Sequence, residues 1–478
     1  MKPLEINVIS DIHYYPESSG STGKAYEKAA AKSQKLLHGT AAALEDCFDR
    51  LSRDESADIV LVSGDVTNNG EKQAHEEVIS LLNKLKANGK RVFVITATHD
   101  FRECGFTAAY DGNNEIKTPT CRRDELFELY RPFGPDEAIA VHKQSMSYVV
   151  QLADGYRLFA LNDDSNLDGA SGFSDECFSW IAAQVEDAKK NGQFIIAMTH
   201  HPLISPTPVY ALIGKHDMMG GWYGRRQCLA DMGVNFIITG HTHIQDISYI
   251  FSEKGNVFYD ITAASPVGYP GTYRRLVCDA ENNTVKVSTV EFAKQSQLKI
   301  DGVPLYEALQ KQLTGMISDV IAAAATDKYK FASMATAFSI KEDKGVKIGA
   351  LIRPAAKWIN TVTVGRIARM VRRKTGLSEN DLRGVKDERA LDFVTGLVMN
   401  LFAGDGQYSP DTPQYKITCA LLEGIDGLAS FLHIPLSKIT GGTGSLKELV
   451  IPLLYNSGIC DREALLHLDA STEQLSQR

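Results

Sequence analysis

Short apolar runs alternate with amphipathic stretches through the first 295 residues of the chain. The runs are rich in Val, Ile and Phe, and this suits buried strands better than helices. They lie at residues 6–9, 59–62, 92–96, 147–152, 158–161, 194–198 and 236–239, followed by 257–263, 273–279 and 285–292. The stretches between them predict helices at 25–50, 71–87, 122–130 and 174–190. This alternation is typical of an α/β domain.

The pattern changes after about residue 296, where apolar residues recur at helical spacing and strand patterns are nearly absent. Two such series are Leu305, Leu309, Leu313, Met316, Ile317, Val320 and Ile321, and then Leu391, Val394, Leu397, Val398, Leu401 and Phe402. A chain of 478 residues also suits two domains. We therefore predict an α/β domain at 1–295 and an all-helical C-terminal domain at 296–478.

Composition and charge narrow the class of protein. The apolar share of 44% and charged share of 23% are those of a soluble globular protein, and we expect no transmembrane segment. Residues 1–295 carry 29 basic against 39 acidic side chains, a poor surface for a nucleic-acid polymer. The chain enters its first strand directly, so we expect a cytoplasmic protein, or an exported or surface protein if an export signal has been removed.

The eight cysteines are scattered without C-x-x-C spacing. This argues against a cysteine zinc site and against a disulfide framework. A disulfide between Cys104 and Cys121 stays open, because the segment between them has a loop pattern.

Five polar segments each follow a predicted strand. Taken singly, each would be an ordinary turn or helix cap, or would contain a histidine that binds no ligand. Together they predict one site, because strand ends open onto the crevice where α/β sheets bind ligands. The segments are Ser10-Asp11-Ile12-His13, Gly64-Asp65 with the five residues after it, Ala97-Thr98-His99-Asp100, Thr199-His200-His201-Pro202 and Gly240-His241-Thr242-His243.

The residue types indicate metal chemistry. In Asp11-x-His13 and His241-x-His243, alternate residues of an extended backbone would point the same way. Imidazole and carboxylate without thiolate suit Mn, Fe, Zn, Co or Ni rather than Ca or an iron–sulfur cluster. A carboxylate can bridge two cations, and two such ions can activate a hydroxide and clamp a phosphoryl group. We therefore expect two divalent transition-metal ions.

In the order of these motifs the sequence resembles the calcineurin-like metallophosphoesterase superfamily over residues 5–292, and within it the class III cyclic nucleotide phosphodiesterases. The resemblance implies two mixed β-sheets packed as a sandwich and flanked by helices. It also implies a role for each motif residue. Asp11, His13 and His243 would bind the first metal, Asp65 would bridge, His200 and His241 would bind the second, and His99, oriented by Asp100, would donate a proton or stabilise transition-state charge.

One position departs from the family pattern. The family has an asparagine beside the catalytic histidine, and its carbonyl oxygen ligates the second metal; here the residue is Thr98. A threonine hydroxyl is shorter and is a weaker neutral ligand. Three outcomes are open: Thr98 binds the metal directly, a water fills the gap, or the second metal is held loosely.

Candidates for substrate contact lie close to these motifs. Tyr14 follows His13 and could edge the pocket, although a tyrosine after a strand is more often a packing residue. Between His200 and His241, Trp222 and Arg225 could stack a base and hold a phosphate, with His216 nearby. The alternative is a loop that enters a helix with solvated arginines. A basic stretch at 357–374 could attract an anion or a lipid surface, but a solvated face of a packed helix is favoured.

The predicted activity is metal-dependent hydrolysis of a small-molecule phosphate ester, with a diester such as a cyclic or other nucleotide expected from the resemblance. A phosphomonoesterase with the same site is the enzymatic alternative. A scaffold protein that binds metal without turnover is the alternative from another class; Thr98 favours it, whereas the full set of histidines opposes it.

Overall fold

The computed structural model describes residues 1–164, 171–213, 217–336, 340–404, 406–433, 436–438, 444–455 and 458–470. The backbone divides into two compact units. The first comprises Met1–Ile204, Asp217–Gln312 and Ile459–Arg478, and the second comprises Ser205–His216 and Leu313–Gly458.

The strands alternate with helices in the first part of the chain, as the apolar pattern predicts. The strands are β1 (Leu4–Ile9), β2 (Ile59–Ser63), β3 (Arg91–Ile95), β4 (Phe106–Asp111), β5 (Asn114–Pro119), β6 (Ala140–His142), β7 (Ser147–Ala153), β8 (Tyr156–Ala160), β9 (Phe194–Met198), β10 (Phe236–Thr239), β11 (Asp246–Phe251), β12 (Val257–Thr262), β13 (Tyr273–Asp279), β14 (Thr284–Val290), β15 (Lys299–Ile300), β16 (Val303–Pro304) and β17 (Glu463–His467). The helices are α1 (Lys24–Ala30), α2 (Thr40–Arg53), α3 (Lys72–Ala87), α4 (Arg123–Tyr130), α5 (Asp175–Lys190), α6 (Pro208–Ile213), α7 (Trp222–Met232), α8 (Phe292–Gln295), α9 (Leu305–Thr326), α10 (Lys328–Ala335), α11 (Glu342–Ile359), α12 (Val364–Thr375), α13 (Ala390–Ala403), α14 (Pro413–Phe431) and α15 (Leu446–Leu454).

Two mixed sheets form the first unit. One has the order β17-β14-β13-β1-β2-β3, and the other β11-β12-β10-β9-β8-β7-β6. In the first sheet β1, β2 and β3 are parallel and the remaining neighbours are antiparallel. In the second sheet β8, β9, β10 and β12 are parallel, with antiparallel strands at both edges.

The main core lies between the two sheets. Val8 and Leu61 from the first sheet and Val150, Ile196 and Ile238 from the second belong to one cluster of buried side chains. Sheets whose apolar faces meet in this way form a sandwich. The predicted sandwich of two mixed sheets is confirmed.

Helices cover the outer face of the second sheet. Ile181 and Val185 of α5 and Leu229 of α7 pack with Ile195 and Ile237, which are the strand residues that point away from the main core. Because these strands are buried on both faces, they appear in the sequence as continuous apolar runs rather than as alternation.

The pattern missed some elements and merged others. Every predicted strand coincides with an observed strand to within two residues. The single helix predicted at 25–50 is wrong, since residues 31–39 separate α1 from α2 and Gly39 has a positive φ of 81° before α2. The short β4–β5 hairpin and the strands β6, β11, β15, β16 and β17 were not predicted.

The disulfide that the sequence left open is not formed in this structure. Cys104 and Cys121 are both free thiols. Cys104 is exposed and its Sγ lies 3.2 Å from the Phe106 carbonyl oxygen, whereas Cys121 is buried. The loop between them is in fact the β4–β5 hairpin, which brings residues 106 and 119 opposite each other without a cross-link.

The second unit is built of helices. One of its clusters packs Val362, Ile367, Phe393, Leu397 and Ile417. In the basic stretch at 357–374, Val362 and Ile367 are buried, as favoured above, while Met370 is 65% exposed. None of the helices that the structure describes is long and apolar enough to cross a membrane.

Candidate metal centre

The five polar segments follow the carboxyl ends of five parallel strands. Three of these strands, β1, β2 and β3, are neighbours in the first sheet, and β9 and β10 are neighbours in the second. Parallel neighbours end at the same edge of a sheet, so their following loops meet. The structure brings the carboxylates and imidazoles of these loops together, as the sequence predicts.

Backbone hydrogen bonds tie the loops to one another. The Asp11 amide donates to the Gly64 carbonyl at 3.1 Å, and the His13 amide donates to the Asp65 carbonyl at 2.9 Å. The His241 amide donates to the Asp11 carboxylate, with distances of 2.9 and 3.1 Å to its two oxygens. Asp11 is therefore fixed from both sheets.

Five of the predicted metal ligands have a left-handed backbone. Their φ values are 51° at Asp11, 45° at His13, 50° at Asp65, 67° at His241 and 57° at His243. Non-glycine residues adopt this region rarely, although Asp and His do so more than most. The premise of an extended Asp-x-His backbone is thus wrong: the side chains converge because tight turns, not strands, carry them.

Glycines make room for these turns. At Gly64, where φ is 97°, a Cβ atom would lie 2.5 Å from Nδ1 of His200. At Gly240 a Cβ atom would lie 1.9 Å from Oγ of Ser10 and 2.5 Å from Oδ2 of Asp11. Both positions need glycine because the loops of the two sheets touch there.

One donor group consists of Asp11, His13 and His243. Nε2 of His13 lies 3.0 Å from Nε2 of His243, and these nitrogens lie 3.6 and 3.4 Å from Oδ1 of Asp11. Two imidazole nitrogens and a carboxylate oxygen that face one another suit a shared cation.

A second donor group surrounds Asp65. Its Oδ2 lies 3.1 Å from Nε2 of His200 and 3.7 Å from Nε2 of His13, so it faces both sides of the cluster. His241 lies on the side of His200, with ring centroids 5.2 Å apart. Asp65 is therefore placed where a bridging carboxylate would be.

The charges in the cluster depend on one another. Burial raises the pKa of Asp11 and Asp65, but the surrounding histidines outweigh it and hold both pKa values well below the usual range. For His200, burial lowers the pKa, but Asp65 and then Asp11 raise it to about 10. For His241, burial and then the neighbouring His201 hold the pKa well below its usual range. The carboxylates are ionised and ready to bind cations.

The residues fit a transition metal. Nδ1 of His200 donates to the Ser63 carbonyl at 2.8 Å, which fixes the ring orientation and turns Nε2 toward Asp65, where a metal ion would displace its proton. That Nε2 is buried and lies 3.1 Å from Oδ2 of Asp65, but it makes no well-aligned hydrogen bond within the described part of the chain. A buried polar atom without a partner is costly, and a metal ion would satisfy it. Asp11, His13 and His243 would hold one ion, and Asp65, His200 and His241 the other.

His99 lies beside the cluster. Its ring stands edge-on to that of His13, with centroids 4.8 Å apart, and its amide donates to Oδ1 of Asp65 at 3.0 Å. Nδ1 donates to the Asn68 carbonyl at 2.6 Å, so Nε2 is the ring nitrogen left for chemistry. Burial lowers the pKa of His99 to about 4, so the ring is neutral before substrate binds.

Among the described residues, the Asp100 carboxylate makes no hydrogen bond to the His99 ring, so the orienting role that the resemblance implies stays a prediction. This carboxylate instead accepts hydrogen bonds from the Thr67 amide at 2.7 Å and the Ala97 amide at 2.8 Å. These amides close the two loops that carry Asp65 and His99, and the His99 ring donates to the Asn68 carbonyl. Burial and then Asp65 raise the pKa of Asp100 to about 7.

Thr98 lies between β3 and His99 and is half-buried, and its carbonyl accepts a hydrogen bond from Arg102 at 3.0 Å. Its role as a metal ligand stays a prediction.

The structure shows what surrounds the three residues that were predicted to contact substrate. Tyr14 is only 5% exposed. Arg225 donates to Asp175 at 2.7 Å and stacks over Phe178, while Trp222 packs at the start of α7. Their contact with substrate stays a prediction, and His216 lies outside the described residues.

Sequence reasoning missed two residues at the centre. Nζ of Lys35 lies 2.6 Å from Nδ1 of His13, and burial lowers the pKa of this lysine to about 8. Lys35 lies in the break between α1 and α2, so the helix predicted there concealed it. His201 forms a third donor group with His200 and His241, and the adjacent pair of histidines was the signal that could have found it.

The chain is similar to one protein family and, distantly, to several solved structures. The sequence matches the family model for the calcineurin-like phosphoesterases over residues 4–245. A dimetal phosphatase from Danio rerio is 13% identical, with 60% of this chain and 95% of that chain covered and a TM-score of 0.41. A purple acid phosphatase from yellow lupin (Lupinus luteus) is 12% identical, with 62% and 53% covered and a TM-score of 0.38. The NAD nucleotidase of Haemophilus influenzae is 12% identical, with 76% and 62% covered and a TM-score of 0.31. No curated protein matches the sequence.

The sandwich of mixed sheets with an Asp/His cluster at its strand ends is the architecture of a metallophosphoesterase. The chain belongs to the calcineurin-like phosphoesterase family, and its activity is metal-dependent hydrolysis of phosphate esters. This assignment rests on the sequence match and not on the distant solved structures.

Proposed function

We propose that this protein hydrolyses phosphodiesters, with cyclic or other nucleotides as the leading substrates, at a centre that holds two divalent transition-metal ions. The observation that carries the proposal is the position of Asp65 between two imidazole groups, with Nε2 of His200 at 3.1 Å and Nε2 of His13 at 3.7 Å from the same carboxylate oxygen. When bound, two such ions supply an activated water and neutralise the charge of a phosphoryl group.

The protein contributes fixed ligands and a proton. Asp11 is held by the His241 amide, and His200 is held through Nδ1, so the donor atoms need little rearrangement. His99 presents Nε2 to the centre, and the negative charge of a bound phosphate would raise its proton affinity. Nε2 then takes up a proton from solvent and gives it to the leaving oxygen, or stabilises the charge that develops there.

The preference for diesters is supported by the resemblance of the motif order to the class III cyclic nucleotide phosphodiesterases. The test is a substrate panel with nitrophenyl monoesters, nitrophenyl diesters and cyclic nucleotides, assayed on protein with a measured metal-to-chain ratio. Faster hydrolysis of diesters supports the proposal. Preference for monoesters would make the protein a phosphomonoesterase, and no hydrolysis with two ions bound would leave a metal-binding scaffold.

Metal dependence is tested on the same protein. A strong chelator should abolish hydrolysis, and Mn²⁺ or another transition metal should restore it, whereas Ca²⁺ should not. Asp65→Ala should lose both bound metal and activity. Asp231→Ala is the control, because that carboxylate contacts Ser252 and Asn256, outside the metal centre. Full activity in the chelated protein would refute the metal-dependent mechanism.

A further inference from the structure

We propose that His201 is a ligand of the second metal ion, alongside Asp65, His200 and His241. The inference rests on the dinuclear centre proposed above and adds a residue to it. It starts from the third donor group: one ligand atom from each of His200, His201 and His241 lies within 4.8 Å of the others.

The rings of the three histidines form a compact set although two are adjacent in sequence. The His200 and His201 rings meet edge to face, with centroids 5.0 Å apart and an interplanar angle of 89°. The His201 and His241 centroids are only 4.2 Å apart. His201 is 3% exposed. Its side chain thus points into the cluster and not toward solvent.

The hydrogen bonds of His201 leave its other nitrogen available. Its amide donates to Oδ2 of Asp163 at 2.8 Å, and Nδ1 lies 3.1 Å from both oxygens of that carboxylate. Nδ1 therefore carries the proton, and Nε2 keeps its lone pair. A carboxylate that orients the distal nitrogen of an imidazole is the usual support for a metal-bound histidine.

His75 is a buried structural histidine whose hydrogen bonds can be compared with those of His201. Both of its ring nitrogens have protein partners, with Nδ1 2.7 Å from the Tyr130 hydroxyl and Nε2 2.9 Å from the Asp100 carbonyl. In the described part of the chain, the side-chain hydrogen bonds of His201 run to Asp163 alone. The ring is anchored at one edge only, as a ligand would be.

The chemistry of the second site changes with this ligand. Three imidazoles and one carboxylate form a complete donor set without the weak hydroxyl of Thr98. Imidazole-rich sites favour Zn²⁺, Co²⁺ or Ni²⁺, whereas oxygen-rich sites suit Mn²⁺. We expect the second site to prefer the former ions.

The experiment titrates Co²⁺ and Zn²⁺ into metal-free full-length protein by calorimetry, with bound metal counted by elemental analysis. Wild type should bind two ions per chain. His201→Gln should weaken one binding event by more than 100-fold, which exceeds the 10–100-fold typical of residues that only orient a ligand. The same variant should change the visible absorption of bound Co²⁺. Asp163→Asn should weaken the same binding event by 10–100-fold. His142→Gln alters a half-buried histidine paired with Ser145 and should leave metal binding unchanged.

A crystal structure of the Zn²⁺-loaded wild type provides a readout that does not depend on how the variants fold. Nε2 of His201 at about 2.0–2.1 Å from a zinc ion would support the proposal. Two ions bound equally tightly by His201→Gln with an unchanged Co²⁺ spectrum would overturn it, as would a wild type that binds a single ion. Two bound ions without phosphoester hydrolysis would instead refute the proposed function and leave the test of His201 intact.

Discussion

At the scale of single residues, backbone strain is concentrated at the proposed metal ligands. Asp11, Asp65 and His241 hold left-handed conformations that cost about 1 kcal/mol or more each for residues with a Cβ atom. Hydrogen bonds between the loops maintain these conformations, as in the contact of the His241 amide with Asp11. Such strain persists only where the surroundings enforce it, and it is typical of functional sites.

The variant Gly64→Ala tests how closely the loops pack at one of these strained positions. Gly64→Ala should destabilise the protein by about 1 kcal/mol from its positive φ and by about 1–3 kcal/mol more from the contact with His200. Metal affinity should fall with it, because His200 must move. Gly89→Ala is the matched control, since Gly89 has a φ of 84° with no atom within 4 Å of the added Cβ. Equal thermal shifts in the two variants would show that the contact with His200 is unimportant.

His99 provides a kinetic test at the same scale. His99→Ala should keep its metal content, because no ligand is removed, while kcat falls by about 10²–10⁴-fold. The loss should shrink for esters of nitrophenol, whose leaving group needs no proton. A variant that loses metal would instead identify His99 as a ligand.

The sequence predicts which residues form the site better than it predicts the contacts between those residues. Asp11, Asp65 and His241 each follow a predicted strand, so their convergence could be expected from topology alone. Lys35 and the orientation of His99 by the Asn68 carbonyl could not, because they arise from loop conformations that no periodicity encodes. The left-handed turns were equally invisible, since neither Asp nor His requires this conformation and the surrounding loops impose it.

At the scale of elements, the carboxylate of Asp260 on β12 forms hydrogen bonds to β10 and to the loop that follows β9. Oδ2 of Asp260 accepts from the amides of Leu203 at 2.7 Å and Ile204 at 3.0 Å, and Oδ1 accepts from the Thr239 hydroxyl at 2.5 Å. Thr239 ends β10, directly before the turn to His241. Asp260 thus links the two loops of the second sheet that carry proposed metal ligands.

Asp260→Asn should loosen both loops. An amide accepts at one end only, so it keeps both backbone N–H groups only if its NH2 faces the Thr239 hydroxyl, which must then turn from donor to acceptor. A donor that is left without a partner costs about 1–3 kcal/mol. We expect a lower melting temperature and weaker binding of the ion held by His200 and His241. Asp231→Asn is the control, because this carboxylate lies at the end of α7 and contacts Ser252 and Asn256, away from both loops. A variant that melts lower yet binds both ions normally would confine Asp260 to a role in stability.

Helices and strands were predictable where their burial follows one pattern from end to end. Strands such as β2 and β9 are buried along their whole length, and their apolar runs are plain in the sequence. The break between α1 and α2 has no such sign, because the apolar spacing continues through Leu36 and Leu37. The edge strand β17 is short and only Leu466 within it is fully buried, so it was taken for part of the helical region.

At the scale of the whole molecule, the chain leaves the first unit after Gln312 and returns to it at Ile459. The returning segment adds β17 to the edge of the first sheet, in register with β14. Leu466 and Leu468 belong to the core between the two sheets, and the Ile247 amide donates to the Asp461 carboxylate at 2.8 Å. The metal-binding unit therefore depends on residues more than 200 positions beyond its last motif.

Leu466 and Leu465 are adjacent on β17 and test that dependence. Leu466 is 1% exposed and Leu465 is 48% exposed. Leu466→Ala should destabilise the first unit by about 2–5 kcal/mol, because it removes a buried side chain between the sheets, whereas Leu465→Ala should cost far less. Added metal stabilises only the unit that binds it, so the thermal transition that rises with metal identifies the first unit. That transition should fall in Leu466→Ala and stay near its wild-type position in Leu465→Ala. If Leu466→Ala lowers a different transition, or none, the C-terminal strand is not part of the folded metal-binding unit.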